Sequence, residues 1–203
     1  MRKPKDHYFY QAKQQSYSAR SVYKLQEMAK RFPILAKGNK VLDLGAAPGS
    51  WSQLAAKKVG PEGFVLAVDQ NELAEALPGP AEFVQADVLE PSAELREAIE
   101  RHRPFHLVMS DMAPKTTGIK IRDQARSLEL AETALEYAKS CLQDNGSFVA
   151  KIFNGPDVPE FTNEVKASFE KVKTFKPKSS RSESKEVFLV GLGFKGDSQQ
   201  EDT

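Results

Sequence analysis

The chain has 203 residues and 40% hydrophobic content, with 29 Lys and Arg against 28 Asp and Glu, which suits one well-packed domain and is short for two. A single cysteine, Cys141, excludes an internal disulfide, and three scattered histidines (His7, His102, His106) beside it give no metal-ligand spacing. No apolar run approaches a membrane span and "MRKPKDHYFY" lacks a signal-like apolar core, so a soluble, cytoplasmic, metal-free monomer is expected.

The net charge of +1 conceals an asymmetry. Residues 1–40 hold ten Lys/Arg against Asp6 and Glu27, a local charge of +8, whereas residues 69–100 hold nine acids against Arg96 alone. The N-terminal stretch also interleaves Tyr8, Phe9, Tyr10, Tyr17 and Tyr23 with its cations, a mix that grips phosphate and stacks bases. Residues 1–17 therefore read as a basic arm for RNA, with Lys3, Lys5 and Lys13 among its phosphate contacts. Ser18 can cap a helix running to about Phe32, in which Tyr23 reads as packing.

In "VLDLGAAPGSW" (41–51) an apolar strand meets a glycine turn, and Trp51, Leu54, Ala55 and Val59 then recur at helical spacing over 50–59, with Pro48 near the first turn. Strand, glycine turn and helix N-terminus form a nucleotide-type cradle. Ala47 stands where the dinucleotide fingerprint has its middle glycine, and Pro48 offers no donor, so the loop suits phosphate poorly. Asp43 at the strand end would face an amine or hydroxyl. A second strand, near 63–68, runs into Asp69, at roughly the ~20-residue distance where an acid meets ribose hydroxyls. An adenosine ligand without pyrophosphate, S-adenosylmethionine, fits better than a nicotinamide cofactor.

Strands follow near 81–85 and 105–110, with a helix over 92–102 between them. Leu128, Ala131, Leu135, Ala138 and Leu142 mark one face of a long helix that "DNG" ends before the strand "SFVAKIF". A helix near 158–169 leads to "KVKTFK" and "EVFLVGLGF", consecutive β-rich runs that should pair antiparallel. The expected fold is α/β with a mostly parallel sheet, one domain over 1–194 and a frayed tail at 195–203. Ligands in such sheets bind beyond the carboxyl ends of the strands, which singles out Asp43 with its loop, Asp69, Asp87 of "QADV", and Asp111 of "MSDMAP". Asp87 could equally be a turn former. Lys151 stands inside an apolar strand, where lysine needs a partner or a task, and Asp111 is its candidate partner. Met109 and Cys141 read as core.

The stretches "YSARSVYKLQEM", "VLDLGAAPGSWSQ", "LVMSDMAP", "GSFVAKIF" and "KPKSSRSESKEVFLV" resemble the FtsJ/RlmE family of ribose 2′-O-methyltransferases, which use S-adenosylmethionine on a Rossmann-like fold. The resemblance covers most of the chain, with "GPDVPEF" and residues 70–100 matching loosely. It implies a catalytic tetrad of Lys24, Asp111, Lys151 and Glu186, with Lys151 as proton acceptor. It also implies a cofactor site lined by Gly49, Trp51, Asp69, Asp87 and Asp111; Asp43, Gly45 and Val88 belong to the same strand-end set. The implied substrate is a uridine of 23S ribosomal RNA in the large ribosomal subunit. "APGSWSQ" also looks like relatives acting on the tRNA anticodon loop, and a catalytically idle RNA-binding assembly factor is the reading from a different class.

The residue types suit the chemistry. A sulfonium carbon is already electrophilic, so an enzyme must align an in-line attack and activate a weakly acidic ribose hydroxyl. Lysine ordinarily titrates near ~10.4, so as a base Lys151 needs desolvation or a neighbouring cation such as Lys24. The alternative keeps it charged, orienting the hydroxyl and stabilising the oxyanion. The "KPKSSRSES" loop, with Lys178 and Arg181, is the second expected RNA contact because Glu186 follows it.

Overall fold

The structure is a computed structural model that describes residues 21–180 and 184–196. The basic arm, Ser18, Arg181 and most of the expected tail lie outside the described residues.

Seven strands form one sheet in the order β3-β2-β1-β4-β5-β7-β6. They are β1 Lys40–Leu44, β2 Phe64–Asp69, β3 Ala81–Gln85, β4 Phe105–Ser110, β5 Leu142–Phe153, β6 Phe169–Phe175 and β7 Glu186–Phe194. The first five pair parallel, and β7 runs antiparallel between β5 and β6. The strands β1, β2 and β4, and β5 from Phe148 onward, are nearly continuous apolar runs because helices cover both faces of the parallel part. One face, with Val41, Val65, Met109, Val149 and Val190, packs on α1 (Val22–Arg31) and α2 (Ser50–Val59). Leu42, Leu66, Val108, Phe148 and Leu189 belong to the core on the opposite face, beneath α3 (Ala93–His102), α4 (Lys120–Cys141) and α5 (Val158–Ser168).

This alternation positions the site. Side chains two apart in a strand share a face. Asp43 therefore follows Val41, Lys151 follows Val149, and Glu186 follows Val190 and Phe188 onto the face that α1 and α2 cover.

Three expectations need correction. Leu142, expected on the apolar face of the long helix, is the first residue of β5, because α4 spans Lys120–Cys141; the positions it buries first are Asp123, Gln124 and Ser127. "DNG" does not separate helix from strand: β5 begins at Leu142, and the register slips between Phe105↔Leu142 and Leu107↔Ser147, absorbing Asn145 at φ 61° as an irregularity within the strand. Lys195 is not frayed: its N–H donates to the Ser168 carbonyl at 3.0 Å and its ammonium to the Ala167 carbonyl at 3.1 Å. Met109 and Cys141 are core as expected, and burial pushes the Cys141 thiol up to about 12. Among the described residues no helix is long and apolar enough to cross a membrane.

Candidate active site

The loop after β1 is closed on itself. Gly45 and Ala46 both donate to the Val68 carbonyl, at 2.9 and 3.0 Å, and Gly49 donates to the Ala46 carbonyl at 2.7 Å. Ala47 donates to Asp69 Oδ2 at 3.0 Å, and Pro48 has no N–H. No backbone donor from 45 to 49 remains for a phosphate. Gly45 needs its φ of 78°, and a Cβ there would collide with Met112.

Asp43 is 1% exposed and faces inward. It accepts the Ser52 hydroxyl at 2.5 Å and also the Ser52 backbone N–H, so it ties β1 to the first turn of α2. Burial is the largest cause that lifts its carboxyl to about 7, against the Ser52 hydrogen bonds that lower it. Trp51 is likewise buried under the loop. Its indole N–H donates to the Ser21 carbonyl at 2.9 Å and its ring packs against Phe188, with centroids 5.7 Å apart.

A cleft of about 500 Å³ opens beyond the carboxyl ends of β1 to β4. Gly45, Asp69, Asp87, Val88 and Asp111 line it, whereas Asp43, Gly49 and Trp51 do not. Asp69 Oδ1 accepts the backbone N–H and side-chain amide of Asn71, at 2.8 and 3.0 Å, while Oδ2 holds Ala47. Asp87 caps its own turn through the Leu89 N–H at 2.9 Å, as the turn-former reading expects, and borders the cleft. The Tyr137 hydroxyl donates to the Val88 carbonyl at 3.1 Å.

Asp111 also belongs to a second constellation. The Lys151 ammonium donates to Asp111 Oδ1 at 2.9 Å and to the Asp111 backbone carbonyl, Lys24 stands 3.6 Å from the same Oδ1, and Lys24 pairs with Glu186 Oε1 at 2.6 Å. The four expected residues thus form one chain of alternating charge, Lys151–Asp111–Lys24–Glu186. Their side chains are between 6% (Lys151) and 16% (Asp111) exposed, so each charge depends on its neighbour, and the four sum to zero. Burial raises the Glu186 carboxyl, but the Lys24 charge and hydrogen bond, the Ser180 hydroxyl and Lys151 outweigh it and hold the group below the usual range. Lys24 also lies 5.5 Å above the centre of the Phe188 ring.

Two supports escaped the sequence reading. Glu27 accepts the backbone N–H groups of Lys178 and Ser179, at 2.7 and 2.9 Å, and Ser180 next to them donates to Glu186 Oε1 at 2.9 Å. Lys24 and Glu27 are three apart on α1, on one helix face, so that spacing is the signal that could have exposed the clasp. The other is Asp123, which accepts the Thr117 N–H and hydroxyl, at 2.8 and 2.9 Å, and the Gly118 N–H at 3.2 Å, fixing the loop that brings Met112 over Gly45. Those hydrogen bonds, the Thr117 N–H first, lower its carboxyl.

This geometry accords with known proteins. A family model described as FtsJ-like methyltransferase matches residues 17–194. "Ribosomal RNA large subunit methyltransferase E" of Nitratidesulfovibrio vulgaris is 55% identical over 201 residues, covering 99% of this chain and 100% of that protein. The protein of the same name from Oleidesulfovibrio alaskensis is 57% identical over 196 residues, covering 97% and 95%. Among solved structures, a Plasmodium falciparum protein described as a ribosomal RNA methyltransferase superposes with a TM-score of 0.76 at 25% identity, covering 89% of this chain and 100% of that one. With a family model matched over 17–194 and relatives 55–57% identical over nearly the whole chain, the chain belongs to the FtsJ-like methyltransferase family.

Proposed function

We propose that the protein transfers the methyl group of S-adenosylmethionine to a ribose 2′-hydroxyl of a uridine in 23S ribosomal RNA, within the large ribosomal subunit. The observation that carries this reading is the Lys151–Asp111–Lys24–Glu186 array joined through Asp111 to the 500 Å³ cleft. Relatives 55–57% identical over nearly the whole chain carry a large-subunit ribosomal RNA methyltransferase name, which supports the substrate.

The cleft residues fit this cofactor. Asp69 keeps lone pairs for ribose hydroxyls beside those spent on Ala47 and Asn71, and the loop, with its donors consumed, suits a ligand lacking pyrophosphate. Asp87 and Val88 would hold it from the neighbouring wall of the cleft. Asp43, Gly49 and Trp51 serve from behind, by holding the loop. When bound, S-adenosylmethionine supplies a methyl carbon on a positively charged sulfur.

The remaining chemistry belongs to the chain. Lys151 directs two donors at Asp111, which leaves its third direction for the 2′-hydroxyl of the substrate. Once its third proton has passed to solvent, the neutral amine turns its lone pair to that hydroxyl, orients it for in-line attack and takes its proton. Asp111 fixes the Lys151 amine, Lys24 balances Asp111, and Glu186 secures Lys24 while Ser180 and Glu27 hold Glu186 and its loop.

The test is transfer of methyl-labelled cofactor to large subunits from cells lacking the enzyme, to naked 23S RNA and to tRNA. Label should enter ribose, in a nuclease-resistant linkage, on the large-subunit substrate. Label confined to tRNA would overturn the substrate, and label on a base would overturn the reaction as well.

A further inference from the structure

A second hollow, of about 310 Å³, lies beyond the ends of β5 and β7, beside the tetrad. Its walls are pinned together. The Gln124 side-chain amide donates to the Asn154 carbonyl at 2.6 Å, and the Asn154 N–H donates to the Lys185 carbonyl at 2.8 Å. The one carboxylate in its lining, Asp123, is spent on Thr117 and Gly118. What the hollow offers a ligand is the exposed ammonium groups of Lys120 and Lys185 at its rim and the half-buried ring of Phe153. Phe153 is the cross-strand partner of Glu186 and stands two residues from Lys151, about 7 Å along the strand.

Two cations beside an aromatic ring are the elements by which proteins hold an unstacked nucleotide, phosphate on the charges and base on the ring. The volume sits at the small end of ligand pockets, enough for one such unit. The ribose to be methylated must lie at Lys151, so the chain leading from it has this hollow within one step. We propose that the hollow receives the nucleotide adjoining the methylated one, its base against Phe153 and its phosphate between Lys120 and Lys185. This rests on the ribose-methylation reading above and makes the hollow a specificity site for single-stranded RNA.

The test uses the full chain, unmethylated large subunits as substrate, and the variants Phe153→Ala, Phe153→Tyr and Lys120→Gln/Lys185→Gln. Phe153→Ala should raise KM for the subunits about tenfold, with kcat and S-adenosylmethionine affinity within about twofold, and Phe153→Tyr should restore KM. The double lysine variant changes two exposed side chains and leaves folding intact. It should lower the slope of log affinity against log salt by about 1.4, some 0.7 for each single-strand phosphate that is no longer neutralised. The variant Lys58→Gln, an exposed charge at the far end of α2, controls for net charge and should change neither. Methyl transfer by the unaltered protein with KM and slope unmoved in the variants would overturn this site alone. Absence of transfer to any ribose by the unaltered protein would overturn the methylation reading and this site with it.

Discussion

Lys151 is the residue whose substitution separates the two roles open to its amine. Lys151→Ala should abolish transfer under either, whereas arginine keeps the charge and stays protonated in proteins. As proton acceptor, Lys151→Arg should lose roughly 10²–10⁴ in single-turnover rate with cofactor affinity intact. Near-normal turnover by that variant would make the amine an electrostatic orienter. Asp69→Ala should weaken S-adenosylmethionine and its demethylated product together, by about 1.5–3 kcal/mol in calorimetry, as for hydrogen bonds to a charged group. Asp43 has a different signature, in stability. Its carboxyl titrates at about 7 in the folded chain against 3.8 ordinarily, so the folded state binds more protons between those values and loses stability as pH rises through them. Glu186 and Asp123, with lowered carboxyls, act oppositely and at lower pH, and burial lowers His106 so that it opposes Asp43 below its usual 6.5. Comparison with Asp43→Asn isolates this one group: the denaturant midpoint of the parent should fall relative to that of the variant from about pH 4 to about pH 7, and the two should run parallel above. Parallel curves throughout would place the Asp43 titration elsewhere.

At the scale of elements, α1 clasps the two halves of the site by Lys24 and Glu27, one turn apart. Glu27→Gln retains one acceptor for two N–H groups, so the loop before β7 should loosen. We expect kcat/KM to fall about tenfold with cofactor affinity unchanged, and faster amide exchange at Lys178 and Ser179; unchanged exchange would deny the clasp. The elements themselves were legible to unequal degrees. β1, β2 and β4 announce themselves because a strand buried on both faces is a short apolar run and its ligand end carries an acid. The start of α4 does not, because its first two turns bury Asp123, Gln124 and Ser127 and expose Ile121, inverting the usual periodicity. β5 hides its beginning for a similar reason, since Asp144, Asn145 and Gly146 read as a turn and are accommodated within the strand. Lys151 was legible as a charge out of place in an apolar run, with Asp111 as its candidate partner, whereas Lys24 and Glu186 came only from the resemblance to the family. Glu27 and Ser180 had no such contrast, being polar residues in polar company, and the place of Trp51 on the loop said nothing of which way its ring turns.

Across the whole molecule, the charge asymmetry becomes spatial. The nine acids of residues 69–100 fall on β2, β3, α3 and their connections, at one edge of the sheet, while Lys171, Lys173, Lys176 and Lys178 lie on or just after β6 at the other. Two of the four tetrad residues, Lys151 on β5 and Glu186 on β7, stand toward the basic edge, so RNA should approach from there. Replacing Lys171, Lys173 and Lys176 by Gln should reduce the salt dependence of RNA binding, by about 0.7 in log–log slope for each that meets a phosphate, and leave S-adenosylmethionine affinity alone. An unchanged slope would rule out an approach over β6.

The closed loop after β1 bears on how the protein waits for its cofactor. With the amides of Gly45, Ala46, Ala47 and Gly49 already bonded within the fold, the protein enters the binding step with that segment ordered, and none of its entropy has to be surrendered when the ligand arrives. Deuterium should therefore enter those four amides slowly in the free protein and no more slowly in the complex. Ligand-dependent protection should fall instead on the opposite wall, at Ala113 and Lys115, in the half of the cleft that the glycines do not build.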